Sequence, residues 1–201
     1  LDQQTLVSLI VVVCTQTMSS PEDIPLETPT NSVSLAGEFA VLSRLALHGY
    51  DANMTLGNTK GVDILVSHQA TNKMYQLEVK TNLDRRRTPP VSRLFGRHVS
   101  SWIMNKKHED GARPELWYCF VQISAHDKSM RFFIVPSTVV QNYVSGQHRL
   151  WLEEDAAHKD GPMRVLRIGF RDEKYRIPTP TDLYEDNWGF VNNPPQAGLK
   201  I

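Results

Sequence analysis

Two runs of alternating apolar residues, Val62-Ile64-Val66 and Tyr75-Leu77-Val79, constrain this chain more than any other feature of it. A period of two is the signature of a strand with one buried face. Between the runs lies HQATNK, His68 to Lys73, a polar loop that lets the strands pair antiparallel. With Ser67 opposite Met74, the pairing sets Val62, Ile64 and Val66 against Val79, Leu77 and Tyr75, and one face is wholly apolar. A slip of one residue would carry that whole set to the other face. The same register places Asp63 opposite Glu78, with Lys80 two residues further along.

That second face needs a physical cause. Directly opposed side chains have Cβ atoms ~5 Å apart, and like charges so placed destabilise a strand pair. At an effective dielectric of about 20 the repulsion between two such carboxylates is about 3 kcal/mol. A divalent cation reverses the sign, because hard ions such as Mg²⁺ take oxygen ligands and often use one or two carboxylates plus phosphate oxygens. Lys80 then stands where its ammonium can hold a phosphate oxygen or a water on the metal. Singly, Glu-x-Lys on a strand is a solvated pair and Asp after Gly is turn chemistry. Together on one face, after a helix that carries Glu38, they indicate a site.

The remaining patterns set the frame. From Val33 to Tyr50 the residues Leu35, Phe39, Leu42 and Ala46 recur at helical spacing, with Asn31, Ser32 and Ser34 as candidate caps and Gly49 as a stop. A strand, DANMTL, and a turn, GNTKG, lead to Val62. After Lys80 comes an Arg- and Pro-rich loop, then a helix expected over Ser100 to Glu109. Strands are expected at 117–124 and 131–136, a helix from Pro136-Ser137 closing on Gly146, and a late strand at 164–170. The chain of 201 residues is 40% hydrophobic, enough for one α/β domain, read here over 33–177 with a C-terminal tail over 178–201.

Residues 1–32 read as an arm, since 19–32 carry three prolines and three acids. The apolar run at 6–14 is shorter than the ~20 residues that cross a bilayer, and no basic residue precedes Arg44. The reading is that Met18 is the natural start and that 1–17 lie upstream of it. Cys14 and Cys119 form no CxxC pair, which fits a reducing, cytoplasmic setting, and Cys119 in WYCFVQIS reads as a buried inert thiol.

Lys plus Arg equals Asp plus Glu at 22 each, so only the local charge distribution speaks to a partner. From Lys80 to Lys107 there are eight basic residues against one acid, Asp84. Arg85, Arg86, Arg87, Arg93, Arg97, Lys106 and Lys107 are the candidate contacts to a nucleic-acid backbone, and such contacts make binding salt-dependent. Trp102 is either a stacking platform for a base or, at helical spacing among apolar residues, core. The chain carries no GxxxxGK, GxGxxG, GxSxG or HExxH pattern.

Glu38 in the first helix, Gly61-Val62-Asp63, and Glu78-Val79-Lys80, in the order helix, three strands, helix, strand, resemble the PD-(D/E)XK nuclease superfamily. The resemblance covers about residues 33 to 136, with Val62 in place of the motif's proline. It implies a restriction-endonuclease-like three-layer α/β/α fold with a central mixed sheet. It also implies that Asp63, Glu78 and the Val79 carbonyl hold Mg²⁺ or Mn²⁺, that Lys80 orients or activates the attacking water, and that Glu38 completes the site. Gln76 is an auxiliary group or a solvent-facing strand residue. The implied activity is metal-dependent phosphodiester hydrolysis by a DNA endonuclease of restriction, repair or junction-resolving type, with a homodimer by analogy. The alternative is an inactive nucleic-acid-binding or assembly module of the same fold.

Overall fold

The hairpin forms in the register that the alternation dictates. Strand β2 (Ile64–His68) pairs antiparallel with β3 (Lys73–Asp84), with Ile64 opposite Leu77, Val66 opposite Tyr75 and Ser67 opposite Met74. Ile64, Val66 and Leu77 are fully buried, as the apolar face requires. The computed structural model describes residues 28–55, 61–68 and 73–190. The readings for Met18 and residues 1–17, and most of the GNTKG turn and the HQATNK loop, lie outside the described residues.

Strand β1 (Asp51–Met54) joins the free edge of β2. On the other side β3 pairs in parallel with β6 (Leu116–Ser124), and β7 (Met130–Pro136) closes the sheet antiparallel to β6. The result is a mixed five-stranded sheet in the order β1-β2-β3-β6-β7.

Helix α1 (Thr30–Leu47) packs on one face of this sheet, but not by the expected stripe. Val33, Gly37, Val41 and Leu45 are buried, whereas Leu35 and Phe39 are 46% and 53% exposed. Gly37 explains the choice, because a Cβ there would collide with the Thr81 side chain of β3. The helix therefore seats on its smallest residue, where backbone meets strand. It begins at Thr30 on Pro29 with no side-chain cap bond, so Asn31, Ser32 and Ser34 lie inside it. It ends where expected, with Gly49 at φ +79°.

The helix expected over Ser100 to Glu109 is absent. Those residues form most of strand β5 (Gly96–Asn105) and a 3-10 turn, Lys106–Glu109. Ser100, Trp102 and Met104 are buried while Ile103 between them is 75% exposed, a period of two and not of 3.6. The partner that makes this a strand is β8 (Met163–Gly169), paired from Asn105 opposite Met163 to His98 opposite Gly169. With the short β4 (Val91–Ser92) they form a second sheet in the order β4-β5-β8. Helix α2 (Ser137–Glu154) begins as expected after Pro136 but runs on past Gly146 to Glu154.

Each face of the five-stranded sheet thus has its own core. Val41, Leu45, Ile64, Val66 and Leu77 lie on the α1 side, joined by Trp188 and Phe190 from the C-terminal stretch. Trp102, Phe120, Phe133, Val140, Val144, Leu166 and Ile168 fill the side covered by the second sheet and α2. Trp102 is core, its Nε1 donating to the Val121 carbonyl at 3.0 Å. Among the described residues no helix is long and apolar enough to cross a membrane.

Candidate active site

The ladder between β2 and β3 ends at Ile64, and Asp63 completes it with its side chain. The Asp63 backbone N–H donates to the Leu77 carbonyl at 2.8 Å, and Asp63 Oδ2 accepts the Val79 N–H at 2.7 Å. The carboxylate stands in for the carbonyl that a further ladder residue would supply. Just upstream, Gly61 has φ +75°, and a Cβ built there would lie 3.3 Å from Glu78 Oε2. Glycine at 61 therefore lets the chain pass close over the second acid.

Glu78 is almost wholly buried, at 3% exposure, and not on an open face as the hairpin alone implies. Its Oε1 lies 2.7 Å from Lys80 Nζ, 3.3 Å from His108 Nε2 and 3.7 Å from Lys107 Nζ. Tyr118 is set beside Glu78 by the parallel register, and burial, with the charge of Glu78, raises the phenol's pKa. Burial alone would raise the Glu78 pKa, but the hydrogen bonds and charges of His108 and Lys80 outweigh it and hold the carboxyl at about 2. Glu78 is thus an anion at neutral pH within a shell of donors.

The other two acids are pushed the opposite way. Burial raises the pKa of Glu38, the charge of Asp63 adds to it, and Lys80 opposes it. Burial likewise raises Asp63; the Val79 amide and Lys80 oppose, and Glu78 adds. Glu38 of α1 is thus coupled to Asp63 and Lys80, and Asp63 at the β2 end to Lys80 and Glu78 of β3. Val79 contributes its amide to Asp63. Gln76 is half-buried, and its Oε1 is covered without a hydrogen-bond partner among the described residues.

The basic residues divide. Arg86 is bound to Asp84 through Nε and Nη2, Arg93 to Glu154, Arg97 to Glu173 and Lys106 to Asp160. Lys107 reaches Glu78, while Arg85 and Arg87 are exposed with no ion pair among the described residues.

His108 and Tyr118 were not singled out by sequence. The cue for His108 was its spacing from Asn105: in the 3-10 turn the Asn105 side chain accepts the Lys107 N–H, and His108 Nδ1 lies 3.0 Å from the Asn105 nitrogen and 2.8 Å from its carbonyl oxygen. The other ring nitrogen, Nε2, lies 3.3 Å from Glu78 Oε1. Tyr118 had no local cue, since only the register of β3 against β6 brings it to Glu78.

As arranged, no group of three or more His, Cys, Asp or Glu side chains among the described residues stands ready to hold a metal ion. The donor chemistry nonetheless suits a hard divalent cation. The charge of Asp63 raises the cost of ionising Glu38, that of Glu78 raises the cost of ionising Asp63, and a cation between carboxylate oxygens would relieve both.

No protein-family model matches the chain, and no curated protein sequence matches it. Among solved structures it is similar to a bacterial homing endonuclease, I-Ssp6803I, at 12% identity over 82% of this chain and 92% of that one, with a TM-score of 0.46.

Proposed function

We propose that the chain is a metal-dependent nuclease that hydrolyses phosphodiester bonds, a DNA endonuclease of restriction, repair or junction-resolving type. Its fold on this reading is a variant of the restriction-endonuclease-like plan, with β5 where the expected crossover helix would run. The observation that carries the reading is the coupling of Asp63, pinned on the Val79 amide, to Glu78, with Lys80 at 2.7 Å from Glu78.

In this reading Asp63, Glu78 and Glu38 supply the oxygens that hold Mg²⁺ or Mn²⁺. When bound, such an ion stabilises charge on the phosphate and lowers the pKa of a coordinated water. Asp63 is oriented by its bond to Val79, so its second oxygen has a fixed direction. His108 holds the Glu78 carboxylate from the protein side, with Tyr118 packed beside it. Lys80, 29% exposed at its side chain, presents an ammonium to the attacking water or to a phosphate oxygen. Arg85 and Arg87 engage the nucleic-acid backbone beyond, and a homodimer would cut both strands.

One observation favours a second reading, an inactive nucleic-acid-binding module. Glu78 Oε1 is already surrounded by Lys80, Lys107 and His108. Plasmid and branched DNA incubated with the protein in Mg²⁺ or Mn²⁺, beside Asp63→Ala and Lys80→Ala, separate the two. Cleavage by the wild type alone supports the nuclease. No cleavage of DNA or RNA, with equal DNA binding by all three proteins, supports the module.

A further inference from the structure

Beside Glu78, on the side away from α1, lies a cavity of about 290 Å³ walled by the 3-10 turn and the segment that leads into β6. Two cations line it. The Lys107 ammonium is 56% exposed and only loosely held, 3.7 Å from Glu78 Oε1. The Arg113 side chain is exposed and has no ion pair or hydrogen bond among the described residues, yet its charge reaches Tyr118 on the cavity floor. Two carboxylates, Glu78 and Asp110, also line the cavity. Gly61 forms part of the wall, so a ligand can approach the backbone closely there.

An unpaired guanidinium and a half-free ammonium converging on a cavity are the arrangement that receives a phosphate. The Glu78 charge is met from within by Lys80 and His108, so it does not by itself repel an anion at the mouth. We infer that this cavity is a phosphate subsite, in which Arg113 and Lys107, with Asp110 opposing, seat a backbone phosphate next to the one presented to Asp63 and Glu78. The inference rests on the nuclease reading and adds to it a second point of grip, made by residues outside the motif. The ligand is the phosphodiester backbone itself, read without base contacts.

The test is the binding of a fluorescent duplex, measured by anisotropy in EDTA over a range of salt, for the wild type, Arg113→Gln, Lys107→Gln and, as a control, Arg149→Gln on the exposed side of α2. Arg113 bonds the fold through its backbone, to Ser137 and to the Leu116 N–H, so its substitution leaves the fold intact. The expected result is about tenfold weaker binding by Arg113→Gln, a fall of about 0.9 in the log–log salt slope, and no change for Arg149→Gln. DNA and RNA duplexes of one sequence are run in parallel, and equal losses identify the phosphate as the shared ligand. If the wild type binds and cuts while Arg113→Gln keeps its affinity and slope, the subsite is overturned and the nuclease reading stands. If the wild type neither binds nor cuts either duplex, both are overturned.

Discussion

Asp63 Oδ2 takes the Val79 N–H at 2.7 Å, so one side chain both ends the β2–β3 ladder and turns a carboxylate toward Glu78. Structure and chemistry load the same residue, and substitutions can pull the two apart.

Asp63→Asn keeps an oxygen for the Val79 amide and removes a charge that raises the cost of ionising Glu38. Its stability is expected to stay close to that of the wild type, whereas Asp63→Ala leaves the amide without its partner and costs about 1–3 kcal/mol. On the proposed nuclease reading both are expected to lose cleavage, by about 100-fold or more. Urea unfolding and plasmid nicking on the two variants check this; equal loss of stability would mean that the bond to Val79 contributes little.

The acids predict opposing pH dependences. Glu78 falls from 4.5 unfolded to about 2 folded, so its stabilisation is complete above pH 4.5 and lost as the pH drops toward 2. At about 1.4 kcal/mol per pH unit the loss is on the order of 3 kcal/mol. Glu38 and Asp63 are raised, so the folded state holds their protons longer, and their contribution falls as pH climbs past 4.5 and 3.8. Unfolding free energies at pH 3 and pH 7 should differ less in Glu78→Gln than in the wild type. An identical difference in both proteins would show that Glu78 is not the group that titrates.

His108 sets Nε2 3.3 Å from Glu78 and Nδ1 within hydrogen-bond distance of the Asn105 backbone, and it is 5% exposed. His108→Ala removes both bonds and is expected to cost about 1–3 kcal/mol, with nuclease activity down 10–100-fold. His108→Gln, which keeps a donor, should recover part of the activity. A positioning role shows as a larger change in the metal concentration needed for half-maximal cleavage than in DNA binding.

Gly37→Ala sets a methyl group against Thr81, and overpacking of this kind costs about 1–3 kcal/mol, offset in part by about 1 kcal/mol of helix propensity. Thr81→Ala in the same chain removes the colliding atoms. The double variant should melt above Gly37→Ala alone, and a double variant no more stable than the single would place the strain elsewhere.

The parts that were legible in the sequence are those whose partners are near in the chain. Ile64, Val66, Leu77 and Tyr75 find each other across a short loop, so alternation is enough to set the register. Seating of α1 was ambiguous because Leu35 and Phe39 are as apolar as Val41 and Leu45; the decision lies in a backbone contact at Gly37 that hydropathy does not register. Strand β5 was misread as a helix because its partner, β8, arrives nearly sixty residues later. Glu38, Asp63, Glu78 and Lys80 were legible as a set of types and spacings. Tyr118 was not, since it joins Glu78 only through a parallel pairing.

That pairing also orders events in time. β3 and β6 run parallel, so the chain between them must leave the sheet and return, and here it carries β5 and His108 on the way. β5 is completed only by β8, close to the end of the described chain. Contacts of such long range close late in folding. The α1–β1–β2–β3 half, which already holds Lys80 against Glu78, is therefore expected to form first, and Lys107 and His108 to reach Glu78 afterwards.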